Sequence, residues 1–200
     1  MSEPLQPLPS FSPHKGNQKE DPALTDPAKA DYKAGREFLA NGDYSQAAMA
    51  LHNARRGFEE HGDEQGVANA ADRLGDVCMA REEYRLALEH FQRAQAVCEK
   101  QEDIFSVVAL NKKKAVAHRR LGELDQALAL LFDIFDHDSQ LRNPKGTVEV
   151  LEAIAGVYEE KGEKGKAADA LRTIAGIHRN FKHARQAEEF ENRAREMEQG

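Results

Sequence analysis

The stretch LGDVCMAREEYRLALEHFQRA, Leu74–Ala94, contains the pattern that decides the fold of this 200-residue chain. A small residue, Gly75, precedes a polar break around Glu82, and Ala87 and Phe91 then follow one helical turn apart. Apolar residues that recur at three- and four-residue intervals on both sides of a short polar break indicate two amphipathic helices joined by a turn. We call the first helix of such a unit A and the second B.

The same residue types return every 40 residues along the chain. One column is always alanine and consists of Ala47, Ala87, Ala127 and Ala167. A large apolar column follows one helical turn later and consists of Leu51, Phe91, Leu131 and Leu171. A turn column is glycine in three of four copies and consists of Gly42, Glu82, Gly122 and Gly162. A fixed period of this length predicts four stacked copies of one helix–turn–helix unit.

The columns have a direct physical interpretation. The constant alanine lies where two helix backbones must approach closely, because a bulky side chain there would push the helices apart. The leucine or phenylalanine one turn later fills the space between helices A and B and the next helix A. No single pair can bury its own apolar face, so the core forms only when the copies stack.

Helix starts fit the same register. Asp26-Pro27 and Asn143-Pro144 each place a capping side chain before a proline at the first helical position, and Asp63 and Asp103 occupy the equivalent positions. The A helices are therefore expected near 28–41, 64–81, 104–121 and 144–161. The B helices are expected near 44–60, 84–100, 124–138 and 164–178. A last helix near 183–197 resembles a fifth A helix and would act as a polar cap.

These patterns predict an all-α solenoid of helical hairpins, with four units followed by a capping helix and tail at 181–200. The units span 27–180 and are placed at about 28–67, 68–107, 108–147 and 148–180. Six of the seven prolines lie in the first 27 residues, so residues 1–26 are predicted to be a disordered, proline-rich leader. A short linear motif read by a partner is the alternative interpretation of this leader.

The composition excludes several classes of protein. The formal net charge of −7 and the lack of tryptophan disfavour general binding to nucleic acid or to an anionic membrane. No apolar run is long enough to span a bilayer, and no secretory signal precedes the helical region. Two cysteines do not make a disulfide framework. We therefore expect a soluble, cytoplasmic protein.

The repeat resembles the tetratricopeptide repeat (TPR) family over about 28–178. The resemblance rests on Leu74–Ala94 and on AGREFLANGDYSQAAMALHNA, Ala34–Ala54, and it is looser in the third copy, where Lys114 replaces the usual leucine. The period of 40 exceeds the usual TPR period of about 34, as in the extended repeats of kinesin light chains, spindle-orientation adaptors and bacterial peptide-sensing regulators. The resemblance implies a right-handed superhelix whose concave groove, lined mainly by A helices, holds a peptide or helical segment.

Placing A-helix residues on the inner face gives a candidate peptide-binding groove. Its predicted residues are Tyr32, Lys33, Arg36, Asn69, Arg73, Asp76, Lys112, Lys113, Arg119, Arg120 and Glu152. The groove is mainly basic through the third copy and acidic in the fourth, which predicts an acidic peptide or a carboxylate as ligand. The alternative is that these charges are only solvated on an unoccupied face.

Some TPR proteins bind the C-terminal carboxylate of a chaperone through a clamp of lysine and asparagine side chains. At the sites that the clamp would use, this sequence has Tyr32, Arg36, Arg73, Ala109 and Lys113. Basic residues are partly retained, but the two asparagines of the clamp are missing. The sequence therefore does not fit a chaperone-tail binder.

No catalytic, cofactor or metal site can be placed from the sequence. Cys78 and Cys98 fall on different helices at positions expected in the core. Asp133 and His137 share a helix face, but no third ligand is evident. The loop Gly162–Lys166 lacks the spacing and the hydroxyl residue of a phosphate loop. We therefore expect a scaffold or adaptor protein and not an enzyme.

Two alternatives to a peptide-binding scaffold stay open at this point. One is a structural protein that assembles with itself, through the acidic fourth copy or the C-terminal helix. The other is a regulator that contacts nucleic acid through the basic run Lys112–Lys114 with Arg119 and Arg120.

Overall fold

The computed structural model describes residues 26–199, and all regular secondary structure in this range is α-helical. The helices are α1 (Pro27–Asn41), α2 (Tyr44–Glu60), α3 (Glu64–Ala80), α4 (Tyr84–Lys100), α5 (Ile104–Arg120), α6 (Leu124–Gln140), α7 (Pro144–Glu160), α8 (Lys164–Asn180) and α9 (Ala184–Gln199). Odd-numbered helices up to α7 are the A helices, even-numbered ones are the B helices, and α9 is the predicted fifth A-type helix. The predicted leader lies outside the described residues except for Asp26.

Helices stack in the order of the chain. Each one packs against the helix before it and the helix after it, and α1 also touches α3. Contacts of this nearest-neighbour kind define a solenoid, because no helix closes the structure back on itself. The predicted all-α solenoid of successive helical hairpins is confirmed.

The two columns found in the sequence lie in the core. Ala47, Ala87, Ala127 and Ala167 are all fully buried, and Leu51, Phe91 and Leu171 are at most 1% exposed. Three of these positions therefore hold large side chains between helices, and the alanines beside them let the backbones approach. The apolar content of one repeat is buried only where the next repeat covers it.

Side-chain caps mark the start of each A helix. Asp26 accepts a hydrogen bond from the backbone nitrogen of Ala28 at 3.0 Å. Asp63, Asp103 and Asn143 each accept one from the backbone nitrogen three residues later, at 2.8, 3.1 and 3.1 Å. Each bond satisfies one of the free amide groups at a helix start. The B helices α2, α4, α6 and α8 begin without such a side-chain bond.

The turns reveal a period of 20 that lies within the period of 40. A residue in the left-handed conformation ends each helix from α1 to α8, at Gly42, Gly62, Glu82, Glu102, Gly122, Arg142, Gly162 and Lys182. The next residue then donates its backbone N–H five residues back, as from Asp43 to Phe38 at 2.9 Å. This is a Schellman-type end, which satisfies the last carbonyl groups of the helix. From Tyr44 onward the chain thus alternates 17-residue helices with three-residue turns, up to the last helix.

These turns allow a direct test of backbone strain. Gly162 has φ +75°, and Arg142 has φ +51° at the equivalent place. Replacing Gly162 by alanine should lower the free energy of unfolding by about 1 kcal/mol, because a left-handed residue with a Cβ is strained. Replacing Arg142 by glycine should cost nothing or raise stability. Urea denaturation of both variants measures the difference, and equal effects of the two substitutions would contradict this account.

Candidate functional site: the A-helix face

The solvent-facing surface of α1, α3, α5, α7 and α9, here called the A-helix face, carries the predicted groove residues. Along this face polar groups of successive A-type helices influence or contact one another. Tyr32 on α1 acts to raise the pKa of Arg73 on α3. Ion pairs then join α3 to α5, α5 to α7, and α7 to α9. Many of the predicted ligand-binding charges therefore already have partners within the protein.

A four-residue cluster joins α3 to α5. Lys113 Nζ lies 2.6 Å from Asp72 Oδ1 and 2.7 Å from Asp76 Oδ1. Arg73 contacts the same two carboxylates, with Nη2 2.9 Å from Asp72 Oδ2 and Nη1 2.7 Å from Asp76 Oδ2. Two cations thus meet two carboxylates, and the cluster is formally neutral. It borders a cleft of about 240 Å³, which Asn69 and Ala109 also line.

Burial and charge act in opposite directions inside this cluster. Burial raises the pKa of Asp76, although Lys113 acts to lower it. Burial alone would lower the pKa of Arg73, but Asp72 and Asp76 raise it. The Lys113 amine also lies 5.4 Å from the centre of the Phe91 ring, which forms the core beneath. Lys113 therefore contacts both the carboxylates of the cluster and the buried ring of Phe91, so the cluster and the core between two repeats share one side chain.

Single ion pairs join the remaining A-type helices. Arg119 on α5 contacts Glu160 on α7 at 2.6 Å, and its guanidinium lies over Gly156, where a Cβ would come within 3.2 Å of it. The bond to Arg119 lowers the pKa of Glu160. Glu152 on α7 contacts Arg193 on α9 at 3.3 Å. These pairs are partly exposed, so each stabilises the protein by about 1 kcal/mol at most.

Three predicted cations, Arg36, Lys112 and Arg120, form no ion pair within residues 26–199, and two of them lie together on α5. Lys112 and Arg120 are exposed on α5, and neither forms an ion pair with another residue in the range 26–199. Val116 lies between them along the helix, four residues from each, and is 48% exposed. Because residues four apart share a helix face, these three form a stripe along α5, here called the α5 stripe.

The remaining predicted residues lie on α1 and α3. The Arg36 guanidinium lies over the Tyr32 ring, 5.8 Å from its centre, and that ring meets Phe58 edge-on at 6.2 Å. Lys33 is exposed on α1. Asn69 accepts a long hydrogen bond of 3.5 Å from Gln65 within α3. Tyr32 and Arg36 thus form a small stacked group at the first repeat.

Sequence reasoning missed Arg193, and it placed Asp72 and Glu160 on the inner face without their partners, Lys113 and Arg119. A sequence pattern marks these ion pairs, because the two partners of each are 41 residues apart. The pairs are Asp72–Lys113, Arg119–Glu160 and Glu152–Arg193. This separation is one repeat plus one residue, and it joins opposite charges each time. The spacing of 41 is visible in the sequence, but only the structure shows that it brings these side chains into contact.

The other candidates from the sequence are parts of the core or the surface. Cys78 and Cys98 are free and buried, and burial raises the pKa of the Cys78 thiol to about 11. Asp133 and His137 belong to no group of three or more metal-ligating side chains, and residues 26–199 contain no such group. None of the helices in that range is long and apolar enough to cross a membrane.

No protein-family model matches the sequence, and no curated protein matches it either. Among solved structures, a putative kinesin light chain of Podosopora anserina with nearly identical TPR-like repeats is similar over 90% of this chain and 97% of its own, with a TM-score of 0.64 and 14% identity. The apo form of RapI matches 86% of this chain and 49% of its own, with a TM-score of 0.74 and 16% identity.

A third similar structure is the Rap conjugation gene regulator of the plasmid pLS20, in complex with the Phr* peptide. It matches 96% of this chain and 59% of its own length, with a TM-score of 0.62 and 13% identity. At these identities the likeness concerns the fold. The resemblance to TPR repeats is thereby confirmed for the architecture, and the chain has the fold of a TPR-type helical-repeat solenoid.

Proposed function

We propose that this chain is a protein-interaction scaffold, or adaptor, that binds a peptide or helical segment of another protein on its A-helix face. The observation that carries the proposal is the α5 stripe. An exposed valine between two cations offers an apolar contact and two charges to a ligand that lies along the helix. The cytoplasmic location expected from the sequence is part of this proposal.

The positive charges of the α5 stripe, which form no ion pair within residues 26–199, favour an acidic ligand. Arg73, Lys113 and Arg119 already face carboxylates of the protein, so a ligand would have to compete for them. Lys112 and Arg120 need no such exchange. A ligand carboxylate beside either of them would gain a charge pair at little desolvation cost. The proposed ligand therefore has acidic residues on both sides of an apolar one.

The pLS20 Rap protein, seen with a bound peptide, supports a peptide as the type of ligand. That support is an analogy between folds, because few residues are shared. The position and chemistry of the proposed site come from this chain alone. They rest on the stripe and on the ion pairs that flank it.

The test begins with affinity capture from the native lysate, identification of partners by mass spectrometry, and titration of peptides from those partners. The double variant Lys112→Glu and Arg120→Glu should weaken peptide binding at least about tenfold, since two attractive contacts become repulsive. The loss should shrink in high salt, because exposed charges are screened. Calorimetry at two salt concentrations measures both effects.

A matched control reverses two exposed cations elsewhere, Arg56 on α2 and Lys182 in the α8–α9 turn. Both become glutamate, so the net charge changes by the same amount. Glutamate already occupies the place of Lys182 in other turns, at Glu82 and Glu102. Equal losses in the two double variants would show a general charge effect and would refute a specific role for the α5 stripe.

A further inference from the structure

Helix α5 departs from the packing pattern of the other helices at one core position. The equivalent residues of the five A-type helices are Ala34, Leu74, Lys114, Ile154 and Ala194. Leu74 and Ile154 are each 1% exposed, so in these helices the position holds an apolar side chain that is buried in the core. Lys114 places an amine there, and burial lowers the pKa of that amine.

A second polar residue lies beside the first. Asn111 stands one helical turn before Lys114, at the position that Ala71 and Leu151 occupy in α3 and α7. Its side-chain oxygen is buried and has no hydrogen-bond partner within the described chain. A buried amide oxygen without a partner costs free energy, and so does an amine at an apolar core position, so the two departures in one helix need a compensating role.

A cleft lies between α4 and α5 beside Lys114. It has a volume of about 540 Å³ and is lined by Leu88, Glu89, Gln92, Arg93, Lys114 and His118. This volume lies within the range of small-molecule sites. The cleft is separate from the A-helix face, because Lys113 reaches Asp72 on α3 whereas Lys114 donates to Gln95 on α4 at 2.9 Å.

The charges of the cleft are unbalanced. Arg93 and Lys114 contribute two cations, and neither forms an ion pair with any residue between 26 and 199. Glu89 is the single carboxylate among the lining residues, and His118 is bonded to Glu123 at 2.7 Å. The two cations therefore outnumber the one carboxylate among the lining residues, and Glu99, outside the lining, also acts on the Lys114 amine. Leu88 and the stems of the long side chains supply an apolar wall.

We propose that the α4–α5 cleft binds an organic carboxylate on a short apolar stem, with its acid group paired to Lys114 and Arg93. A single negative charge balances the excess, and the stem lies against Leu88. The bound carboxylate gives the half-buried amine the counter-ion that it lacks in the free protein. The carboxylate can come from a free organic acid or from a glutamate side chain of a bound protein.

The test is an amide NMR titration of the full chain with three probes. Hexanoate represents a free acid, N-acetylglutamic acid amide represents a glutamate side chain, and hexan-1-ol has the apolar stem without the charge. At least one carboxylate probe should cause saturable shifts in residues 88–93 and 111–118 below about 10 mM, and hexan-1-ol should cause none. Whichever carboxylate probe binds identifies the source.

Matched lysine variants assign the effect to the cleft. Lys114→Met should reduce carboxylate binding at least about tenfold, whereas Lys145→Met, at an exposed site at the start of α7 and outside both proposed sites, should leave it unchanged. Lys114→Met should also raise Tm by about 3 °C, because it restores an apolar residue at the core position. Arg93→Gln, at an exposed site, gives a second variant that keeps the fold.

Two results would overturn the proposal. One is the absence of saturable shifts with either carboxylate probe in the unaltered chain. The other is undiminished binding in both Lys114→Met and Arg93→Gln. Neither result bears on peptide binding at the α5 stripe, so this inference and the proposed function stand or fall separately.

Discussion

Replacing Phe91 by alanine is expected to lower the free energy of unfolding by about 3–5 kcal/mol, the largest effect of any substitution considered for this chain. Phe91 is fully buried on α4 and packs in one cluster with residues of α3, α4 and α5, among them Ala71, Cys78 and Leu110. Removing the ring would leave a cavity where two repeats meet, and the rigid helices around it cannot collapse into it. The loss should therefore reach both neighbouring hairpins.

Urea denaturation followed by circular dichroism measures the loss, and amide exchange locates it. The control is Phe105→Ala, because Phe105 is 74% exposed at the start of α5. That variant should change stability by no more than about 0.5 kcal/mol. Exchange should accelerate most in α3, α4 and α5 of Phe91→Ala. Similar losses in the two variants would contradict the view that Phe91 fills the junction between repeats.

Replacing Gly75 by alanine is expected to destabilise the protein by about 1–3 kcal/mol, although alanine is the better helix former. A Cβ at Gly75 on α3 would lie 2.3 Å from Cε1 of Phe91, well inside contact distance. Since Phe91 is fully buried, its ring cannot move without displacing its neighbours. Overpacking should therefore outweigh the gain in helix propensity.

The sign should reverse when the ring is absent. In a Phe91→Ala background, Gly75→Ala meets no ring and should stabilise the protein by about 1 kcal/mol through helix propensity. Gly176→Ala on α8 is the control in the unaltered chain, because no atom lies within 4 Å of its Cβ position. It should also be stabilising. A destabilising effect of Gly75→Ala in both backgrounds would show that its cause is not the contact with Phe91.

The helix layout was predictable from the sequence because it depends on neighbouring repeats alone. The alanine column acts between adjacent helices, the caps at Asp63 and Asp103 act at the start of their own helices, and the spacing of both is visible in the chain. The predicted B helices of the third and fourth copies stopped at 138 and 178, two residues too early. Asp138 looked like a polar helix end, but it is buried and accepts a hydrogen bond from Asn143 at 3.0 Å.

The half-period of 20 was not predictable from residue types. The left-handed conformation favours glycine, and Gly42, Gly122 and Gly162 suggest it on that basis. Glu82 and Lys182 adopt the same conformation without that preference. Tertiary packing fixes these turns, because the flanking helices have equal lengths and stack in one way.

For the candidate site, the sequence predicted the charged residues but could not predict their partners. Lys113 and Arg120 look equivalent on α5, yet Lys113 lies between two carboxylates of α3 and Arg120 has no ion pair within residues 26–199. The two residues are seven apart and share a helix face, so the difference lies in which side chains of α3 stand opposite each of them. A helical face can be read from periodicity, but the contact across a repeat junction cannot.

The polar contacts between successive A-type helices have a consequence for mechanics. They tie each pair of repeats together on one side of the solenoid, so the angle between repeats depends on them. A ligand carboxylate that displaced Asp72 from Lys113, or Glu160 from Arg119, would release one of these ties. Occupancy of the A-helix face and the curvature of the chain would then be thermodynamically linked. If a ligand on the A-helix face changes the affinity for a partner that fixes the curvature, that partner changes the affinity for the ligand by the same factor.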